Sequence, residues 1–491
     1  MTRRNTASPD SRSFIAISSL SQVKGAFSIA YLIGKLLCCW DSLNAATPTM
    51  FKISDFLIPG LVTVAITAFI CSEIRADPSD PPGPVHVAVW TGWAGFEFEA
   101  FQKVANDYNK SQTHTVVDVL SVSGNGPKTL MSASAGIPPE ISLLGGPEML
   151  QFASAEAIEP LDEVFKETGI KEEDYVPSYW DMLKYDGKIY AWASTPATIA
   201  LHYNTDILKK AGYTKPPETI EEMDRMIDKI TVMKDGRMVM SGYIPGEPGW
   251  WNWSYGPFFG GRLWDGSSRI TANEKENVRA MEWVQSISKR FGATPMTAFK
   301  GGFGNFASPQ NAFLDEKVSM EIQGVWMYNF INKYNAKLPW AAAAFPYPAD
   351  RPDLKGHTIV DQDIFVLLKG CKHRKEAIDF MTYVQSQPAM EKLCLGQQKT
   401  TPLRKKTPEF WKQHGNPYIR LFDDMGYSKN AFSNPKLPIW PEYLDELKNA
   451  FDEITLMTKT PKEALDTVNS RMQPKLDRYI ERTKMRKVAG L

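Results

Sequence analysis

The stretch from Tyr185 to Met223, YDGKIYAWASTPATIALHYNTDILKKAGYTKPPETIEEM, constrains this chain more than any other. Asp186-Gly187 reads as a tight turn feeding a short strand, Lys188 to Ala193, and Ile199 to Tyr203 reads as a second strand. Pro196 stands between them, and because proline has no backbone donor a sheet ladder must break there. An extended path that breaks and resumes is what a chain passing between two lobes requires. Asn204 or Thr205 then caps a helix, Lys215-Pro216-Pro217 breaks the chain, and Thr219 caps the next helix.

Upstream, Val85 to Trp90 alternates as a strand, and Glu97 to Lys110 carries Phe98, Phe101, Val104, Ala105 and Tyr108 on one helical stripe. Thr115 to Leu120, a helix from Pro127 to Ala135, and a strand from Glu140 to Leu144 follow. Strand-helix-strand-helix-strand is a doubly wound α/β half, whose ligand sites lie beyond the carboxyl ends of its strands. Those ends hold Trp93, Ser123 to Asn125, and Gly145 to Glu148. Downstream, Pro217 to Met233 reads as helix, Gly242 to Gly261 as an aromatic-glycine patch, and Glu442 to Leu456 and Pro461 to Arg482 as the closing helices.

Asp186, Gly187, Tyr190, Pro196, Tyr203, Asn204, Asp206, Gly212, Pro216, Pro217, Thr219 and Glu221 together resemble the crossover segment of bacterial extracellular solute-binding proteins, in the carbohydrate-importer group that includes maltose-binding protein. Phe313 to Trp326 resembles a second family segment, with Glu316 in place of the usual turn glycine. Pro402 with Arg404, and Thr460 to Leu465, resemble two more. The resemblance implies an α/β, two-lobed periplasmic-binding-protein-like fold of type II, each lobe a mixed sheet flanked by helices. It implies hinge crossovers near Ala193 to Ile199, Gly356 to Val360 and Arg404 to Thr407. The N-lobe is expected to span 85–195 and 358–405, the C-lobe 196–357 and 406–482, and a tail 483–491. The implied partners are a small-molecule ligand, a sugar first, and importer permease subunits driven by a cytoplasmic ATPase, with the receptor a monomer.

Residues 1–76 differ from the rest. Phe56 to Ile70 is an uncharged apolar run, short for a membrane span and suited to a secretory h-region. Residues 50–76 therefore read as a signal peptide cut near Ala76, 77–84 as a leader, and 1–49 as an over-long start. A genuine N-terminal membrane anchor is the alternative. Cys71 ends the apolar run, but Ala68-Phe69-Ile70 lacks the small residue that normally precedes a lipidated cysteine. Cys371 and Cys394 either pair in an oxidising compartment or stand as two buried thiols.

The formal net charge is +0, with no long basic run carrying interleaved aromatics, which argues against nucleic acid. The six histidines are dispersed, no H-E-x-x-H or G-x-S-x-G occurs, and no metal, cofactor or catalytic residue is expected. Aromatics are abundant, with 14 Trp, 18 Tyr and 25 Phe, several of them in glycine-rich loops. A sugar ring offers an apolar face to an indole or phenol ring and a hydroxyl rim to polar side chains. On that logic the expected ligand residues are Trp93, Ser123, Asn125, Glu148, Tyr203, Trp250, Trp251, Trp253, Trp326, Asp361, Gln362 and Arg404. Rival readings keep the fold and change the ligand, to a glycerol phosphodiester (basic residues in the cleft) or a polyamine (carboxylates with aromatics). Two others are a ligand-presenting sensor module and a secreted carbohydrate-active enzyme.

Overall fold

The computed structural model describes residues 83–305 and 307–489. The apolar run Phe56 to Ile70, the cut near Ala76 and Cys71 lie outside the described residues, as do residues 1–49 and most of the leader.

Ten strands build two five-stranded sheets. They are β1 (Val85–Thr91), β2 (Thr115–Ser121), β3 (Ile141–Gly145), β4 (Trp192–Pro196), β5 (Ile199–Asn204), β6 (Val232–Lys234), β7 (Arg237–Tyr243), β8 (Val318–Gly324), β9 (Trp340–Ala343) and β10 (Gln362–Leu367). The first sheet has the order β2-β1-β3-β10-β4 and the second β9-β5-β8-β7-β6. In the first, β1, β2 and β3 run parallel and β10 is antiparallel to both its neighbours. In the second, β8 is parallel to β7 and antiparallel to β5.

Each sheet has its own core. Phe101, Phe152, Trp192, Phe365 and Phe380 pack in the first lobe. Met223, Tyr243, Trp283, Met320, Trp440 and Phe451 pack in the second. The chain passes from β4 to β5 through Ala197-Thr198, just after Pro196. It returns between Ile359 and Gln362, and the two passes are laced together. Ala197 N donates to Asp361 O at 2.7 Å, and Thr358 Oγ1 donates to Ile199 O at 2.9 Å. A third pass follows Phe410, which still packs in the first core, and ends at Ile419 and Phe422, which pack against Ala200 and Val325.

Local signals explain most elements. Asn204 Oδ1 accepts from Asp206 N and Ile207 N, and Thr219 Oγ1 accepts from Glu222 N at 3.2 Å, so both caps are side-chain made. Asp186 and Gly187 turn with φ of 46° and 80°. Glu316 adopts φ 54°, the left-handed conformation that favours glycine. The expected helix to Met233 instead ends at Ile230, and Val232–Lys234 is a strand hairpinned to β7 through Asp235-Gly236, both at positive φ. The short turn decides this against the apolar helical period.

The last helix runs Pro461–Ala489, continuing through the residues expected to form a tail. Val468, Met472 and Leu476 root it in the second core. Beyond them its Tyr479 hydroxyl hydrogen-bonds the Tyr185 hydroxyl, and Arg486 Nη1 donates to Ser154 O at 3.2 Å, both on the first lobe.

His202, on β5, is fully buried and stacks on Trp340 with ring centroids 5.4 Å apart. Burial pulls its pKa down to about 4, so the folded protein holds it neutral while the unfolded chain titrates near the ordinary value. Its contribution is therefore complete above pH ~6.5 and is lost as pH falls through 4. We expect urea unfolding to show stability falling by roughly 3 kcal/mol more in wild type than in His202→Phe between pH 7.5 and 4. Equal losses in the two proteins would refute this.

Candidate functional site

The loop after β1 places Trp93 at the carboxyl end of the first sheet. Its backbone N donates to Thr91 Oγ1 at 3.0 Å, and its ring stands edge-on to Phe101 and Phe365. Its indole Nε1 donates to Asp363 Oδ2 at 2.9 Å. Glu148 enters from the first turn of the helix Gly146–Ser154, where one carboxylate oxygen accepts from Gly145 N at 2.9 Å. Gly126 lies opposite, and a Cβ there would stand 2.1 Å from Glu148 Oε1, so any side chain at 126 would displace that carboxylate. Trp93, Glu148, Asp363 and the turn Gly124 to Pro127 line a cavity of about 290 Å³.

Carboxyl groups dominate its electrostatics. Burial pushes Glu148 up, against its bond to Gly145 and with help from Asp363. Burial pushes Asp361 up to about 7, with Asp363 adding to it. Asp363 is also raised by burial, against the pull of Lys399. At neutral pH Asp361 is close to half protonated, able to donate as well as accept a hydrogen bond.

The second lobe contributes aromatic rings. The indole of Trp326 lies over Gly324, where any Cβ would meet it at 2.3 Å. Its ring centroid is 6.0 Å from Trp251 and 6.4 Å from Trp250, and Trp250 stands edge-on to Trp251 at 5.4 Å. Trp250 is 42% exposed, and the buried Trp326 Nε1 has no hydrogen-bond partner among the described residues. Glu247, in the loop that carries these rings, is raised by burial with Lys300 opposing. Glu321 behind it is pushed up to about 8 by burial, then by Glu247, and its Oε2 is unpartnered.

The structure distributes the expected ligand residues unevenly. Trp93, Asn125, Glu148 and the exposed loop residue Ser123 share one end of the first sheet, and Trp250, Trp251 and Trp326 form one group on the second lobe. Asn125, however, spends its amide on Ser142 Oγ and Leu143 O. Asp361 lies against Gly146 at the second pass between lobes. Its neighbour Gln362 is buried, with Nε2 committed to Tyr179 O. Three residues are placed away from the cavity for packing reasons. Trp253 stands edge-on to Trp440 and Phe432 in the second core, Tyr203 packs beside the same core, and Arg404 is exposed with Nε on Tyr175 O at 3.3 Å. Glu97, Asp363, Lys399 and Glu247 belong to the site's surroundings and had no place in the expected set. Asp363 had a cue in its position beside Asp361 and Gln362, while Lys399 had none.

Among the described residues no cluster of three metal-ligating side chains occurs, no helix is long and apolar enough to cross a membrane, and Cys371 and Cys394 are free thiols.

The model of the bacterial extracellular solute-binding proteins matches residues 97–391. The sn-glycerol-3-phosphate-binding periplasmic protein of Pectobacterium atrosepticum is 23% identical over 451 residues, covering 85% of this chain and 97% of that one. Its counterpart in Escherichia coli K12 is 24% identical over 359 residues, covering 67% and 78%. Among solved structures, CpMnBP1 with mannotriose bound superposes with a TM-score of 0.69 at 25% identity, over 79% of this chain and 99% of that one. The sugar-binding protein MalE of Xanthomonas citri superposes with a TM-score of 0.66 at 18% identity, over 82% and 99%. The fold is that of the MalE-like type II binding proteins.

Proposed function

This chain belongs to the bacterial extracellular solute-binding proteins, and from that premise we propose that its cleft captures a neutral sugar or oligosaccharide for delivery to the permeases of an ATP-driven importer. The family binds and hands over its ligand and does not transform it. The observation that carries the sugar is the pairing of two surfaces. One lobe presents carboxyl groups that burial raises, around Trp93, and the other presents the rings of Trp250, Trp251 and Trp326. Rings suit the CH face of a pyranose, and carboxyls that donate or accept suit its hydroxyls. The likeness to a mannotriose-bound protein at 25% identity supports the same class.

The relatives named for glycerol phosphate favour a second reading. Charge weighs against it, since Glu97, Glu148, Asp361, Asp363 and Glu247 surround the cleft, Lys399 is already paired, and Arg404 is turned away. A phosphate there would meet acids first. The same acids suit a polyamine, but two of them are bound to one ammonium and the others are pushed toward neutrality, which favours hydroxyls over a polycation. Export with cleavage near Ala76, work as a monomer, and closure of the two lobes about the three passes complete the proposal.

A thermal-shift panel tests it. Mannotriose is expected to raise the melting temperature of the purified protein with concentration, without turnover, while sn-glycerol 3-phosphate and spermidine do not. A shift with the phosphate or the amine alone would overturn the sugar.

A further inference from the structure

Lys399 is buried as deeply as the hydrophobic core, at 2% side-chain exposure, yet it lies outside the residues that line the cavity. A buried ammonium is costly unless several groups compensate it. Here the compensation comes from four separate segments. Glu97 Oε1, from the helix Gly95–Ser111, is 2.7 Å from Nζ. Thr195 Oγ1, at the end of β4, accepts from Nζ at 3.3 Å while itself donating to Gln397 Oε1 at 2.7 Å. Asp363 Oδ2, on β10, stands 3.8 Å away, an ion pair too long for a hydrogen bond, and the same oxygen accepts the Trp93 indole N–H. Trp326 of the second lobe supplies the fourth. Nζ lies 5.8 Å from the Trp93 ring centroid and 5.6 Å from that of Trp326, within reach of both π faces. Burial pulls the Lys399 pKa down, but Glu97 and Asp363 outweigh it and the group stays raised and charged.

The segment that carries Lys399 also touches the second lobe. Asn329 Nδ2, in the helix Met327–Tyr334, donates to Gln397 O at 2.9 Å, and Phe96, next to Glu97, stands edge-on to Phe330 of that helix. One cation therefore connects the acceptor of the first lobe's indole N–H, the two passing strands and the second lobe's ring.

We propose that Lys399 is the positioning residue of the ligand site. It stands beside Asp363 as its counter-ion and fixes the planes of Trp93 and Trp326 relative to one another, without itself touching ligand. This rests on the sugar-binding reading above. A purely structural ion pair would stabilise the fold and leave affinity alone.

Titration calorimetry with mannotriose distinguishes the two, using wild type, Lys399→Met and Lys399→Arg. Affinity is expected to fall about thirtyfold in K399M and to return most of the way in K399R. The acid limb of the affinity–pH profile is expected to move to higher pH in K399M, because Asp363 loses its cation. Among the other titratable groups around this network, Asp361 and Cys394 also lose the pull of the Lys399 charge and Glu97 loses its ion-pair partner, whereas Glu148 does not feel that charge and His414 meets only the Lys399 backbone O. If K399M does not fold, Glu97→Gln, which removes the nearest charge and keeps an acceptor, carries the same expectation at smaller size. A lowered melting temperature with unchanged affinity and pH profile would overturn the inference. If wild type ignores every saccharide, the sugar reading falls. The inference is then decided by near-UV circular dichroism of the free protein. An indole band altered in K399M and restored in K399R supports it, and a band identical in all three overturns it.

Discussion

Asp363→Ala is expected to weaken ligand binding about a hundredfold or more, the largest single effect in the site. Three losses coincide at this residue. The Trp93 indole N–H loses its acceptor at 2.9 Å, Lys399 loses one of its two carboxylates, and the cavity loses an acceptor for a ligand hydroxyl. A buried donor left without a partner costs about 1–3 kcal/mol by itself. Asp363→Asn keeps an oxygen in place and surrenders only the charge, so it is expected to fall between wild type and alanine. Calorimetric titration of the three proteins checks the order. Equal affinity in wild type and Asp363→Ala would remove Asp363 from the site.

The largest expected loss of stability lies at the third pass between lobes. Lys406 and Asp423 pair at 2.8 Å with side chains only 4% and 12% exposed, joining the segment before the helix Pro408–Gln413 to the helix Ile419–Gly426. Asp423→Ala strands the ammonium with the Tyr427 hydroxyl, 3.2 Å away, as its remaining polar contact of note. Breaking one half of a buried pair costs about 3–5 kcal/mol, whereas replacing both halves by apolar groups is close to neutral. Urea unfolding of Asp423→Ala should therefore show that loss, and adding Lys406→Met should recover most of it. A double variant as unstable as the single one would mean that packing, not charge, is at stake.

What could be read beforehand was local. The caps at Asn204 and Thr219, the turn at Asp186-Gly187 and the break at Pro196 act through neighbours in sequence, so residue type was enough. The rings at Trp93, Trp250 and Trp326 were legible as loop aromatics at strand ends. Trp253 was not separable from them by spacing. The tight turn Asn252–Ser254 sends it into the core while Trp250, three residues earlier, stays exposed. Lys399 sits in a polar run, QQKTT, which looks like surface, and only the convergence of Glu97, Asp363 and two indoles from elsewhere buries it. Glu247 and Glu321 likewise owe their shifted acidity to a lobe assembled from distant segments. The hairpin at 232–243 was hidden by apolar residues whose period suits a helix equally well.

The final helix offers an instrument. Its first half is rooted in one lobe and its second half grips the other through Tyr479 and Arg486, so a rotation of one lobe against the other would load or release that grip. Val488, 90% exposed near the helix end, is a place to attach a fluorophore with little disturbance. A dye there, with a quencher on the first lobe at the exposed Ile137, is expected to report release of that grip. The same lever makes this helix a poor choice for bulky fusions, because cargo hung on it would bias the open–closed balance it is meant to report.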